Sequence, residues 1–468
     1  MKNKIYIFLL IIFTTISCDD YLDINDNPNG ATTPPIKGLL SNVTYNSAIN
    51  VYRTAYTSNY YVQYFASPNE ASTTDIQERI NTNSIWLNIY NIASDIYDME
   101  KFALENNSVE YIGVAKTLMA LNIGMAVDVY GDIPYSEAFS FETIVPKYDD
   151  DEELYTTILN LLDEAIVAFN QTNEGEALTA SNDFIHGGDI EAWKKTAYAL
   201  KARYLNHLSA TSKYDKAAIL DALSKSYTSN ADDAELTTFQ VRNPWGQVAI
   251  NNAGLNLDGW LSEQLVDAMN GNTFGVFDPR LPLITNPLPN GSYVGTKNGV
   301  GRIGDGTVPF EVYLSTDGYY SSEDSPLFII TYPEMKFIEA EVQLRDNKPS
   351  EAYAAYLEGI RAHMEKLGVA AGDINSYLSN PVVAVGANNL TLKTIFKEKY
   401  IALFLSPETW VDARRNNYDY EDFELPLHHN SALGGQFIRR LDYPDSEYER
   451  NAANVPEVDL LTKIWWDQ

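Results

Sequence analysis

The 468-residue sequence predicts a mainly α-helical protein in which two helical regions flank an irregular, loop-rich segment. Three observations carry that prediction. Long stretches repeat apolar residues every three or four positions, the period of a helix with one buried face. One of these, Glu334 to Leu367, is broken only at Asn347-Lys348-Pro349 and reads as a helix-turn-helix of tetratricopeptide-like geometry, without tandem copies at constant period. Between about Asn230 and Pro326 the period disappears, and Gly, Pro and Asn dominate.

Taken in order, residues 1–17 read as a signal peptide: Lys2 and Lys4 precede an apolar run from Ile5 to Ile16, too short to span a bilayer. Ser17-Cys18 looks like a bacterial lipobox, which would make Cys18 the lipidated first residue of the mature chain. Several acyl chains on one residue anchor durably, at roughly 0.8 kcal/mol per buried CH₂. An ordinary cleaved signal with a chance cysteine is the alternative. Residues 18–38 form a polar tether with turn signals at Asn27-Pro28 and Asn29-Gly30. Its run of Asp23, Asn25, Asp26, Asn27 and Asn29 resembles a calcium loop only superficially. It lacks the closing glutamate, and Pro28 interrupts it, so no metal site is expected.

Residues 39–229 are expected to form the first helical region. From Leu39 to Phe65, Tyr45, Ile49, Tyr52, Tyr56, Tyr60 and Tyr64 share one helix face, read as core-facing rather than as a ligand platform. Trp86 to Tyr97 begins a second helix, and Tyr111 to Met125 marks a third that ends at Tyr130-Gly131-Asp132-Ile133-Pro134. The acidic run Asp149 to Glu153 precedes a clean helical face and is read as N-terminal capping, where carboxylates interact well with the helix dipole. Ile190 to Ser209 and Tyr214 to Ser226 complete the region.

In residues 230–330 no helix longer than Leu261 to Met269 is expected. GVGRIG, Gly299 to Gly304, matches a dinucleotide fingerprint, but Asn298 precedes it and Asp305-Gly306 and Pro309 follow it, so no strand enters and no helix leaves. Aromatic residues cluster in this segment, and loops on a helical scaffold are where binding usually lives. Residues 331–468 return to helices, among them Leu392 to Leu405 and a short one carrying Trp410, before a tail rich in Asn, Pro and Asp.

Composition bounds the function. Net charge is −31, which would repel nucleic acid and excludes a nucleic-acid-binding role. The single cysteine leaves no intrachain disulfide or cysteine-based metal site in the mature chain, so stability must come from a packed core, for which 45% hydrophobic content suffices. The 32 tyrosines and 7 tryptophans suit a surface that is both apolar and hydrogen-bonding, although a large helical core uses them too. The 5 histidines are scattered, and His428-His429 are adjacent, so no helical i,i+4 metal pair is present. Neither HExxH nor GxSxG occurs, and no cofactor or metal is expected.

Several segments carry a family resemblance when read in sequence. They are Cys18 followed by Asp19-Asp20, DINDNPN, the Trp86-to-Tyr90 helix, YGDIPYSEA (Tyr130 to Ala138), YDDDEELY and AWKKTAYALKARYL (Ala192 to Leu205). They continue with YPEMKFIEAEVQL (Tyr332 to Leu344), SPETWVDARR (Ser406 to Arg415), RRLDYPDSEYERN (Arg439 to Asn451) and the terminal WWDQ. Together they resemble the SusD/RagB family of outer-membrane nutrient-binding lipoproteins. The resemblance implies a right-handed superhelical scaffold of tetratricopeptide-like helix pairs with an irregular ligand-binding region packed on it. It also implies a lid-like role over a SusC-like TonB-dependent transporter, delivering oligosaccharides or peptides at the cell surface.

One departure shifts the expected site. Saccharide-binding relatives often place aromatics in the loop before the Trp86 helix, whereas here no aromatic lies between Ser67 and Ser84. Ligand contact is therefore assigned to Trp245, Trp260, Tyr293, Tyr319 and Tyr320. The leading expectation is a non-catalytic binding module that stacks aromatic faces on its ligand. A glycosidase would need two carboxylates about 5 to 10 Å apart, and nothing singles out such a pair. A scaffold of the transporter with no ligand site of its own is the third class.

Overall fold

In the computed structural model, residues 35–140, 142–255, 259–304 and 309–467 are described. The signal peptide, Cys18 and the calcium-like run at 23–29 lie outside them. The first helical region is an array in which each helix packs on the next: α1 (Ile36–Tyr61), α2 (Asn83–Glu105), α3 (Val109–Tyr130), α4 (Asp151–Phe169), α5 (Ile190–His207) and α6 (Lys216–Lys225). Helix α3 is long and apolar enough to cross a membrane, but it is buried as the central core helix. It approaches α5 so closely at Gly124 that a Cβ there would lie 2.1 Å from the Tyr204 hydroxyl. The acidic run before α4 caps it as expected: Asp150 accepts from the backbone N–H groups of Glu152 and Glu153 at 3.0 and 3.3 Å.

The tyrosine face of α1 divides. Tyr60 is buried, whereas Tyr45, Tyr52 and Tyr56 are partly buried against the core; α1 ends at Tyr61, short of the Phe65 expected, so Tyr64, also buried, follows the helix.

The middle segment contains two small antiparallel sheets. Strand β1 (Phe65–Ala66) pairs with β3 (Trp260–Leu261), and β2 (Ala234–Leu236) pairs with β4 (Leu327–Ile330). The first joins the loop-rich part to the chain just after α1, and the second, formed within the segment, packs on α1 and α5, so the segment is laid onto the scaffold rather than folded apart from it. It also contains a helix that the sequence reading excludes, α7 (Pro244–Leu255), longer than the following α8 (Glu263–Asn270). Gly246, Asn251 and Gly254 hide its apolar period. What initiates it is local: Pro244 sits at the first turn, and Asn243 accepts from Trp245 N–H at 2.7 Å.

The second helical region comprises α9 (Tyr332–Arg345), α10 (Pro349–Leu367), α11 (Ala371–Ser379), α12 (Leu392–Ala402), α13 (Glu408–Arg415) and α14 (Asp445–Arg450). The α9–α10 pair is the predicted helix-turn-helix, and α9 also packs on α5, α6 and α12. Buried ion pairs stitch the two regions together. Arg203 on α5 donates from Nε and Nη2 to Glu334 on α9, both at 2.6 Å. Arg415 on α13 pairs within the second region, with Glu341 on α9 at 3.0 and 3.1 Å and Asp412 at 2.6 Å, and crosses to the first by donating to the Asn206 carbonyl at 3.2 Å and Ser209 Oγ at 2.6 Å. His207 lies 2.5 Å from Glu408. Burial pulls the imidazole toward neutrality, but the carboxylates of Glu408 and Asp128 outweigh it and push its pKa up to about 9.

Candidate functional site

The loop-rich segment places polar groups along one face of α8. Ser262 caps the helix by accepting from Gln264 N–H at 3.2 Å, and Gly271 ends it in the left-handed region at φ 98°. Leu265, Val266, Ala268 and Met269 are buried, which leaves Glu263, Gln264 and Asp267 to line a cleft of about 310 Å³ opposite Asp422 and Glu424. Cross-links hold the cleft open at fixed width. Gln63 Nε2 donates to the Glu424 carbonyl at 2.6 Å, and Gln264 Nε2 donates to the Glu421 carbonyl at 3.0 Å. Lys297 is the one cationic residue among the lining residues described.

Asn298, at the floor, organises the surrounding loops. Its amide donates to the Phe65 carbonyl at 2.9 Å and to Asp75 at 2.6 Å, and its Oδ1 accepts from Ser262 at 2.6 Å. The other Asp75 oxygen accepts from Gly299 N–H at 2.6 Å. Asp75 is 1% exposed, and burial pushes its pKa up to about 6 against the pull of these hydrogen bonds. Gly299, the start of GVGRIG, has φ 81°, and a Cβ on it would lie 1.9 Å from the Leu427 carbonyl oxygen. The glycines of that motif therefore allow loops to approach one another, in keeping with the rejection of a dinucleotide site.

Beside the cleft stands an aromatic pair. Phe277 and Tyr293 have ring centroids 6.0 Å apart, and Phe277 is 47% exposed. Asn270 links the pair to the cleft by donating to Asp267 at 2.9 Å and to the Tyr293 carbonyl at 3.2 Å. Exposed apolar side chains, Val300, Ile303, Phe310 and Leu427, crown the adjoining loops.

Of the five residues assigned to ligand contact, the structure brings only Tyr293 to this surface. Trp245 is buried among Tyr52, Tyr56 and Phe65 at centroid distances of 4.6, 6.4 and 5.8 Å. Trp260 is buried in β3 against Tyr313. Tyr320 is buried with its hydroxyl 2.7 Å from His363 Nε2, and Tyr319 is half-buried and stacked on Phe328 at 6.2 Å. The rings of Trp245, Trp260 and Tyr320 are thus enclosed, and a stacking role requires an open face. Phe277 entered the sequence reading only as one of the aromatics clustered in the loop-rich segment, and the cleft carboxylates were not singled out. Only the polar spacing Glu263, Gln264, Asp267 on one side of α8 could have signalled them.

Strongly shifted groups such as His207 and Arg203 belong to the ion-paired seam, not to the cleft. Shifted pKa values there are explained by structural pairing without invoking catalysis. Among the described residues one carboxylate trio, Asp132, Asp150 and Asp151, is close enough to share an ion, and each member already accepts from the backbone: Asp132 from Asp151 N–H, Asp150 from Glu152 and Glu153 N–H, and Asp151 from Trp465 N–H. Two arginines that could have formed a basic surface are committed to carboxylates: Arg79 pairs with Asp442 and Asp445, and Arg242 with Glu323 at 3.5 Å.

A family model described as SusD-like, starch-binding and associating with the outer membrane, matches residues 28–444. Among solved structures, a chitin-binding protein is 21% identical with a TM-score of 0.76, the alignment covering 92% of this chain and 100% of the other. A SusD/RagB family protein from Bacteroides thetaiotaomicron is 23% identical with a TM-score of 0.74, covering 93% and 99%. A SusD homolog from Bacteroides fragilis is 20% identical with a TM-score of 0.74, covering 92% and 100%. At these identities the likenesses speak to the fold. No curated protein matches the sequence.

Proposed function

The chain belongs to the SusD-like family, and from that premise we propose that it is a non-catalytic nutrient-binding protein of the outer membrane that captures oligosaccharides in the cleft beside α8. The observation that carries this reading is the pairing of a polar cleft with an exposed aromatic platform, Phe277 and Tyr293, joined through Asn270. Sugars present hydroxyl edges and apolar ring faces, so carboxylates and amides serve the edges while an aromatic face serves the ring. The chitin-binding neighbour supports a saccharide over a peptide as ligand. The excess of carboxylates over Lys297 favours a neutral glycan over an anionic one.

In this reading Cys18 carries the lipid anchor, and the body is displayed at the cell surface beside a SusC-like TonB-dependent transporter. The exposed Val300, Ile303, Phe310 and Leu427 support a protein partner on the loops next to the cleft. Tethering beside the transporter supplies a high effective concentration, so modest affinity suffices. Calorimetric titration against neutral oligosaccharides, acidic oligosaccharides and mixed peptides tests the proposal. Binding of a neutral glycan without product formation supports it. Silence toward every glycan, together with stable association with the transporter, would leave the scaffold reading in its place.

A further inference from the structure

A second cavity, of about 220 Å³, opens behind the first, and Gln264 lines both. Its chemistry is different. Ala268, Phe274, Val382 and Tyr420 present apolar surface. Lys397 adds its methylene stem, because its ammonium is enclosed, 4.3 Å from the Phe274 ring centroid and 3.0 Å from Glu398. Phe274 therefore has one face covered by a cation while the side chain remains half-buried at the cavity.

The polar part of the wall is sparse and specific. Thr391 and Thr394 hydroxyls lie 2.8 Å apart, and Thr391 also accepts from Thr394 N–H at 3.1 Å. One of the two hydroxyl hydrogens is used between them, which leaves the other to donate to a ligand. Lys393, also on the wall, is committed to Asp419 and Glu421 at 3.2 and 3.1 Å, so the cavity offers no free charge to an ionic group. An apolar lining whose free donors are all neutral, namely the threonine pair, the Gln264 amide and the Tyr420 hydroxyl, which is buried without a partner, calls for a small apolar group carrying a neutral acceptor.

We propose that this cavity is a specificity pocket for an acyl substituent on a saccharide held in the polar cleft, the methyl group meeting Ala268 and Phe274 and the carbonyl accepting from the threonine pair. The inference rests on the reading of the first cleft as a saccharide site. A pocket of this kind discriminates by the apolar contact it offers or withholds, commonly by tenfold or more for one small group.

The test is titration of the full protein with the N-acetylglucosamine tetramer and with cellotetraose, which share a β-1,4 backbone and differ in the acetamido group. The expected result is about tenfold tighter binding of the acetylated tetramer. Ala268→Leu, which fills the cavity, is expected to remove that preference while cellotetraose affinity stays unchanged. Phe274→Ala, on a loop where folding is less at risk, is expected to reduce the preference as well. Equal affinity for the two tetramers, or a preference that survives both substitutions, would overturn this inference and leave the saccharide cleft standing. Binding of neither tetramer, nor of maltotetraose as a third neutral glycan, would remove both readings together. A leucine-containing tetrapeptide whose binding is lost in Ala268→Leu, with no saccharide response, would assign the pocket to an apolar side chain instead.

Discussion

The ion-paired seam and the cleft beside α8 are both rich in charge, and they use it in opposite ways. In the seam, Arg203, Glu334, Glu341 and Asp412 are buried and every one has an oppositely charged partner. A buried charge without a partner is costly, so such groups have one arrangement and hold the helical halves in register. In the cleft, Glu263, Asp422 and Glu424 are exposed, and the walls are cross-linked through amides and backbone carbonyls instead. Water satisfies those carboxylates until something displaces it. The seam commits its charges to the fold, and the cleft leaves them available to a ligand.

Substitutions on either side sharpen that contrast. The largest effect is expected for Arg415→Ala, which leaves Glu341 and Asp412 buried and unpaired; unfolding free energy should fall by about 3–5 kcal/mol in denaturant titration. Trp245→Ala belongs on the same side of the comparison, costing about 3–5 kcal/mol as a core truncation. Retained stability with lost ligand binding in that variant would place Trp245 in the ligand site after all. Gly299→Ala forces a Cβ toward the Leu427 carbonyl at a positive φ, and a loss of about 1–3 kcal/mol together with weakened ligand binding is expected. Loss of binding without loss of stability would show that the loop junction acts on the cleft alone.

Alkaline pH should loosen the seam before the cleft. His207 has its pKa raised from 6.5 to about 9 in the folded state, so its contribution is fully present below about 6.5 and is lost as pH rises through about 9. Stability should decline across that window by up to about 1.4 kcal/mol per pH unit, and His207→Gln should flatten the decline. The smallest stability change is expected for Phe277→Ala, within about 0.5 kcal/mol, because the ring is 47% exposed. Its oligosaccharide affinity should nevertheless drop about tenfold, as loss of one stacking face implies. Unchanged affinity would dissociate the aromatic pair from the cleft.

Much of the scaffold is legible in the sequence. The α4 cap, the break after Tyr130 and the α9–α10 pair depend on residues within a few positions of each other, and local rules describe them well. Helix α7 was not legible, since its Gly and Asn residues dilute the period and its stability comes from Trp245 docking on α1 and β1. The site was less legible than the scaffold. Aromatic residues in loops suggested a binding region, but a tryptophan in a loop can close over a core as readily as it can face solvent, and here Trp245 and Trp260 do the former.

What the sequence determined by itself was the helical array, the interrupted middle and the acidic, nucleic-acid-repelling character, because periodicity, capping and net charge are properties of the chain read locally or summed. What only the tertiary structure decided was which polar and aromatic residues remain open. Glu263 and Asp267 on α8 face Asp422 and Glu424, more than 150 residues away in the chain. Their juxtaposition depends on Asp75, Asn298 and Gly299 pulling three loops together. Burial is a property of the whole packing arrangement, and no local pattern in the chain records which face of an aromatic ring the rest of the protein will cover.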